Sequence, residues 1–493
     1  MTDTKLISLL KQFSLDEMKE LEKFIASPYF CRTRDFNPLY KILKKYFPEF
    51  SDKELNNESV FTKLYPGKKY EGIKSDNILK TLFSDMHKVC KEFLIQLELA
   101  GDDKKREYYL LNQLRKKNIN KEFEKDHKRI LEKDEFRNKG SVDFFIENYF
   151  LDLVYRDYSL DNDDFRNAFE STISGGECTA AMALLTCLRF TDEKILAGGY
   201  NLEIRDNLVD NIMKHLDLEG LISEMKKKDD WYFPYIYTHY LVHKLHIEKD
   251  KKIYLELKKY LKDNYGLFGR DELYVLRSML LTYCSLNVGG KDNREFLREI
   301  FELYKENLEL GIYKRGEDEE FHVVLFRNMV INSGNIGETE WLLNFIKDYS
   351  GELPEEHREN MINFSTGYYY LKTCEYERSL EYFSRIRFSL FVFKYDLRTL
   401  QLIIFYELNH YEQAYSLIDS TMHFLNDSTQ AAGPIAEGTR NFIKFYRELM
   451  KLRISGKENK TEFEFLRKQI LDEKLLASRQ WFMEKTEGLG IRN

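Results

Sequence analysis

Met361 to Leu425 reads MINFSTGYYYLKTCEYERSLEYFSRIRFSLFVFKYDLRTLQLIIFYELNHYEQAYSLIDSTMHFL. The stretch holds two copies of one helix–turn–helix pattern, 35 residues apart. In the first copy Tyr370, Tyr376, Ser379, Phe383 and Ile386 follow Gly367 at offsets of 3, 9, 12, 16 and 19. Gly367 and Ser379 are small where two helices cross, and Tyr370, Phe383 and Ile386 fill the space around the crossing. The second copy places Leu402, Phe405, Tyr411, Ala414 and Ile418 at equivalent offsets. An earlier copy is traced through Ile336, Thr339, Leu343 and Ile346, with Ile336 lying 40 residues before Tyr376.

This arrangement resembles a degenerate tetratricopeptide (TPR-like) repeat, in which a glycine and a tyrosine on one helix precede a small residue and an aromatic on the next. The match is partial. Asn363, Thr366, Arg398 and Gln401 stand where that pattern has tryptophan and leucine, and its closing proline is missing. The clearest repeats cover roughly 320–425. The chain also resembles an uncharacterised bacterial helical-repeat family, through Ser27-Pro28-Tyr29-Phe30, Leu64-Tyr65-Pro66-Gly67 and Trp481. That likeness implies a shared fold and brings no activity with it. The tetratricopeptide likeness implies that Tyr368, Lys372 and Tyr406 line a partner-binding surface; their alternative role is packing between neighbouring helices.

Outward from the repeats the same rhythm continues. Between Cys178 and Leu425, helical runs alternate with short breaks such as Lys228-Asp229-Asp230, Gly289-Gly290, Gly311, Ser333-Gly334-Asn335 and Ser350-Gly351. No strand-like alternation is flanked by hairpin turns, so the expected class is all-α: a right-handed α-solenoid of antiparallel helix pairs. Residues 1–100 read as a separate N-terminal helical domain. Ser14 and Glu17 form a capping box, Ser51 to Glu54 repeats its spacing, and Ile78 to Leu99 is one long helix. Residues 101–177 read as a charged helical hairpin region, 178–425 as the array and 426–493 as C-terminal capping helices containing Leu466, Ile470, Trp481 and Phe482.

Charge divides the hairpin region. Residues 104–139 carry 13 Lys/Arg against 7 Asp/Glu, whereas 142–177 carry 2 against 9. Such blocks are solvated faces, or pair with each other across the hairpin. A nucleic-acid-linked regulator using the basic run is the second function class; no basic–aromatic recognition module accompanies it. Over the whole chain of 493 residues the net charge is only −7, which gives no global attraction to nucleic acid or anionic lipid. The six cysteines form no CxxC pair and the N-terminus shows no signal peptide, which together suit a reduced, cytoplasmic protein.

The best metal candidate is the trio His239, His243 and His246, whose spacings of four and three put the imidazoles on one helical face. Without an HExxH motif or a neighbouring cysteine, the alternative is three hydrogen-bonded structural histidines. Asp161-Asn162-Asp163-Asp164 starts like a calcium loop but has Arg166 and Thr172 where Gly and Glu are required, so Asp163 or Asp164 reads as a helix cap. Gly289-Gly290-Lys291-Asp292 lacks the glycine spacing and the hydroxyl of a phosphate-binding loop. No catalytic pair, cofactor motif or resident metal is assigned. The sequence therefore points to a non-enzymatic interaction scaffold that binds a protein or peptide segment, or a second copy of itself.

Overall fold

A computed structural model describes residues 4–31, 34–51, 55–132, 140–199, 204–288, 293–316, 319–387, 391–427, 434–455 and 460–489. All regular structure among them is helical. The chain divides into two units, residues 1–132 with 150–174 and residues 133–149 with 175–493. The first unit contains α1 (Lys5–Leu10), α2 (Leu15–Ala26), α3 (Asn37–Lys44), α4 (Asn57–Leu64), α5 (Ile73–Gly101), α6 (Asp103–Lys116) and α7 (Asn120–Glu132). Helices α8 (Val142–Asp161) and α9 (Phe165–Gly199) carry residues of both units. The second unit continues with α10 (Leu208–His215), α11 (Leu218–Lys228), α12 (Phe233–Glu248), α13 (Lys251–Asp263), α14 (Arg270–Asn287) and α15 (Asn293–Glu309). It ends with α16 (Val323–Asn335), α17 (Thr339–Tyr349), α18 (Glu355–Lys372), α19 (Tyr376–Ser384), α20 (Phe391–Glu407), α21 (Tyr411–Asp427), α22 (Pro434–Ser455), α23 (Lys460–Asp472) and α24 (Arg479–Leu489).

Local chemistry sets the ends of these helices. The capping box at α2 closes reciprocally, with Ser14 Oγ accepting from the Glu17 N–H at 3.1 Å and Glu17 accepting from the Ser14 N–H at 2.6 Å. Helix α2 stops at Ala26, ahead of Pro28, because a residue before proline is pushed out of the α region. The second expected capping box involves residues 52–54, outside the described residues, as does the break at Gly289-Gly290. Asp164 caps α9 by accepting from the Asn167 N–H at 3.2 Å. The long proline-free stretch allows α9 to run 35 residues, so the boundary expected at 177/178 lies inside a helix. Within the first unit Leu6, Leu21, Leu43, Val60 and Met86 share one buried core. In the second, a single apolar cluster runs from Phe144 to Phe482.

Three helix ends in the second unit share one corner geometry. Gly337, Cys374 and Asn409 have φ of 84°, 62° and 57°, the left-handed region. At each corner the next N–H reaches back to a carbonyl five residues earlier: Glu338 to Ser333 at 2.9 Å, Glu375 to Tyr370 at 2.9 Å and His410 to Phe405 at 2.8 Å. This is the Schellman closure, which satisfies carbonyls that the helix end leaves unpaired. Helices α17, α19 and α21 then begin at Thr339, Tyr376 and Tyr411, so the true intervals are 37 and 35 residues. Helices α12, α16 and α20 each pack on the next helix and on the next but one.

The earliest copy is therefore corrected by three residues. Leu342 and Ile346, not Thr339 and Leu343, match Ser379 and Phe383; Leu342 is fully buried and Leu343 is exposed. A three-residue slip is nearly one helical turn, so apolar periodicity alone could not separate the two registers. Gly367 sits at the expected close crossing. Ser379 Oγ donates to its carbonyl at 2.7 Å, and a Cβ there would lie 2.6 Å from the Phe383 ring. Phe383 and Ala414 are buried, while Tyr370, Tyr376, Phe405 and Tyr411 are half-buried. Tyr370 packs outside the crossing, on Tyr382 at 5.5 Å with Arg378 over its ring.

Replacing glycine with alanine inside an exposed helix ordinarily stabilises by ~1 kcal/mol. At Gly367 the sign reverses, because the methyl group meets an aromatic ring with no room to move. Gly367→Ala is expected to lower unfolding free energy by ~1–3 kcal/mol in chemical denaturation. An increase in stability would show that the crossing has slack.

Candidate functional site

Each of the three corners follows the last residue of a helix, and these residues stand at the same place, two before the positive-φ residue: Asn335 on α16, Lys372 on α18 and Glu407 on α20. Two of them, Asn335 and Glu407, bond to α24, the last described helix. Gln480 Nε2 donates to the Asn335 carbonyl at 3.3 Å. Trp481 Nε1 and Lys485 Nζ both donate to the Glu407 carboxylate at 2.8 Å. Between them, Glu484 favours the charged form of Lys372. Residues 480, 481, 484 and 485 lie at helical spacing, so one face of α24 turns toward the ends of α16, α18 and α20. Its opposite side is held by Phe482, fully buried on Phe442 with ring centroids 5.1 Å apart.

The residues expected to bind a partner converge beneath this helix. Tyr368 is 2% exposed and Tyr406 fully buried, so their role is packing, not presentation to a free surface. The correction has a direct cause. Gly334 has no side chain, and a Cβ there would lie 2.6 Å from the Tyr368 ring, which fills that space. Tyr368 Oη and Lys372 Nζ both donate to Asn335 Oδ1 at 2.9 Å. The Lys372 ammonium also lies over the Tyr368 ring at 5.4 Å. Burial lowers the Lys372 pKa and raises that of Tyr368. Tyr406 meets Trp481 edge-on at 5.2 Å, and burial pushes its pKa up to about 12. Trp481, one of three tryptophans in the chain, is expected from sequence in the apolar C-terminal cap and in the family resemblance; its indole N–H contact with Glu407 is not legible there.

The three histidines face two carboxylates on different helices. His239 Nε2 is 2.8 Å from Glu272 on α14, and His243 Nδ1 is 3.1 Å from Asp192 on α9. His246 Nδ1 is 3.3 Å from the same Asp192 oxygen without hydrogen-bond geometry. Among the described residues, no group of three or more His, Cys, Asp or Glu side chains is placed to hold a metal ion. All six cysteines are free.

The basic run is partly neutralised inside the first unit. Arg115 bonds Asp161 at 2.9 Å, and Arg129 bonds Glu107 at 2.9 Å. Residues 133–139 of that run lie outside the described residues. Among the described residues, no helix is long and apolar enough to cross a membrane. The chain matches no protein family, no curated protein and no solved structure.

Glu407 anchors α24 through two donors while its own side chain is only 11% exposed. Glu407→Gln removes the ion pair and weakens the indole contact. Hydrogen exchange should then accelerate across 479–489 by about tenfold, with exchange in α17 unchanged, since a bond to a charged group contributes ~1.5–3 kcal/mol. Unchanged exchange in α24 would show that Phe482 alone fixes the helix.

A second outcome concerns His127, within the basic run. It stacks on Tyr155 at 4.1 Å, and burial lowers its pKa to about 4 from 6.5. Between those pH values the unfolded chain takes up a proton that the folded unit does not. Stability is therefore full above pH ~6.5 and falls toward pH ~4, by at most ~3 kcal/mol. His127→Phe should flatten that segment of the stability–pH curve measured by denaturant unfolding.

Proposed function

We propose that this chain is a non-enzymatic protein–protein interaction scaffold, a right-handed α-solenoid of antiparallel, TPR-like helix pairs that holds a helical protein segment along its repeats. The observation that carries this reading is the row Asn335, Lys372 and Glu407. Register-equivalent residues of three successive repeats engage one helix, α24, through hydrogen bonds and charge. A surface that repeats a polar contact every 35–37 residues suits an elongated helical ligand, because each repeat adds one contact along the ligand axis. The exposed stripe Phe165, Phe169 and Ile173 on α9 adds apolar area suited to association. The pairing of Arg115 and Arg129 within the first unit takes those two cations from a phosphate ligand and favours the scaffold over a nucleic-acid-linked regulator. The carboxylate partners of His239 and His243 likewise favour structural histidines over a metal centre.

The test is affinity capture by the full-length protein from its native cell, followed by cross-linking and mass spectrometry. A retained protein whose cross-links map to helices of the 320–425 region is expected. Retention equal to that of heat-unfolded protein, or cross-links confined to residues 1–132, would count against the reading.

A further inference from the structure

A cleft of about 380 Å³ opens between α20 and α21, beside the end of α19. Its lining includes three cations, Arg387, Lys394 and Arg398, over a floor of Leu397, Leu417 and Phe424. No carboxylate lines it. The nearby acids are engaged elsewhere: Asp396 in a two-point pair with Arg327, Asp419 with Arg447 at 3.5 Å, and Glu381 with Arg385. None of the three cations has an ion-pair partner among the described residues.

Arg398 is held ready for a ligand. Its Nη1 donates to Ser420 Oγ at 2.8 Å and to Thr421 Oγ1 at 3.0 Å. The guanidinium lies over the Phe424 ring at 5.3 Å, and Lys394 Nζ approaches the same ring at 5.8 Å. Two hydroxyls and an aromatic face thus fix the plane of the fork. Its Nε and Nη2 donors make no hydrogen bond among the described residues, and this is the edge that grips a carboxylate at two points. Burial without a counter-charge lowers the Arg398 pKa, a cost that an incoming anion would relieve. Leu397 and Leu417 place apolar surface beside the cations, which favours a ligand carrying an acid next to an apolar group over a bare anion.

We propose that this cleft binds an acidic peptide segment, with a Glu or Asp carboxylate on Arg398 and Lys394 and an adjacent apolar side chain against Leu397 and Leu417. The proposal rests on the scaffold reading and names the chemistry of one part of the partner.

The probe is a short fluorescein-labelled peptide of Glu and Leu, titrated with full-length protein and followed by anisotropy. Binding should weaken as salt is raised, because the recognition is electrostatic and partly exposed. Arg398→Gln and Lys394→Gln should each reduce affinity about tenfold. Lys347→Gln, an equal charge change at an exposed site outside the cleft, should leave it unchanged. Lys394 sits at the rim, so its variant keeps the test sound if Arg398→Gln melts early. The proposal is overturned if the peptide does not bind, or if Lys347→Gln weakens binding as much as Lys394→Gln. It is also overturned if inorganic phosphate or an all-Glu peptide binds as tightly as the Glu/Leu peptide, which would reassign the cleft to small or simple anions. Failure here with capture of a native partner intact removes the cleft and leaves the scaffold reading. Peptide binding with no native capture does the reverse.

Discussion

An α-helix that must reverse direction ends with carbonyls that have no intrahelical partner. Gly337, Cys374 and Asn409 solve this by stepping to positive φ and closing Schellman bonds onto Ser333, Tyr370 and Phe405. That step fixes which residue ends one helix and which begins the next. It therefore sets the phase of every contact downstream. Leu342, Ser379 and Ala414 become equivalent buried positions because each lies three residues past its helix start. Only one of the three corners uses glycine. Cysteine and asparagine accept the conformation at a strain of ~1–2 kcal/mol, which the surrounding hydrogen bonds offset.

With phase set by the corners, separation is set by small residues. Gly367 brings α18 against the Phe383 ring, and Gly334 brings α16 against the Tyr368 ring. The first contact is within a pair and the second is between pairs, so the two glycines fix different distances in the array. Tyr368 Oη then donates its hydrogen bond to Oδ1 of Asn335, the residue at the end of α16. The Asn335 side chain is thus held by Tyr368, while its backbone carbonyl accepts from Gln480 on α24. Tyr368 and Lys372, read from sequence as surface residues, are buried and half-buried because both side chains turn onto Asn335.

Much of this was legible in the sequence, for identifiable reasons. Helical periodicity, scarce proline and turn residues gave the all-helical class, and the Ser14–Glu17 spacing gave a cap that closes as drawn. The Gly367–Ser379–Phe383 crossing was legible because close packing demands small residues at fixed offsets. The phase of the earliest copy was not, since apolar periodicity is nearly blind to a slip of one turn and Cys374 gives no compositional hint of a left-handed corner. The α24 contacts were hidden for a different reason. Gln480 meets Asn335 across 145 residues, and nothing local in either segment announces that meeting.

Charge is used in two distinct ways. Arg115, Arg129 and Arg327 each face a carboxylate that the fold supplies, so their fields are cancelled where they arise. Arg387, Lys394 and Arg398 gather around one cleft with no such partner among the described residues, although Asp396 lies only two residues from Arg398. Helical geometry explains the difference. Residues two apart on a helix point about 200° away from each other, so Asp396 turns toward Arg327 on α16 while Arg398 turns toward α21. The same helix, α20, thus spends its acid on holding the array together and leaves its cations facing outward. Among the described residues no carboxylate offsets those cations, so the cleft carries net positive charge over an apolar floor.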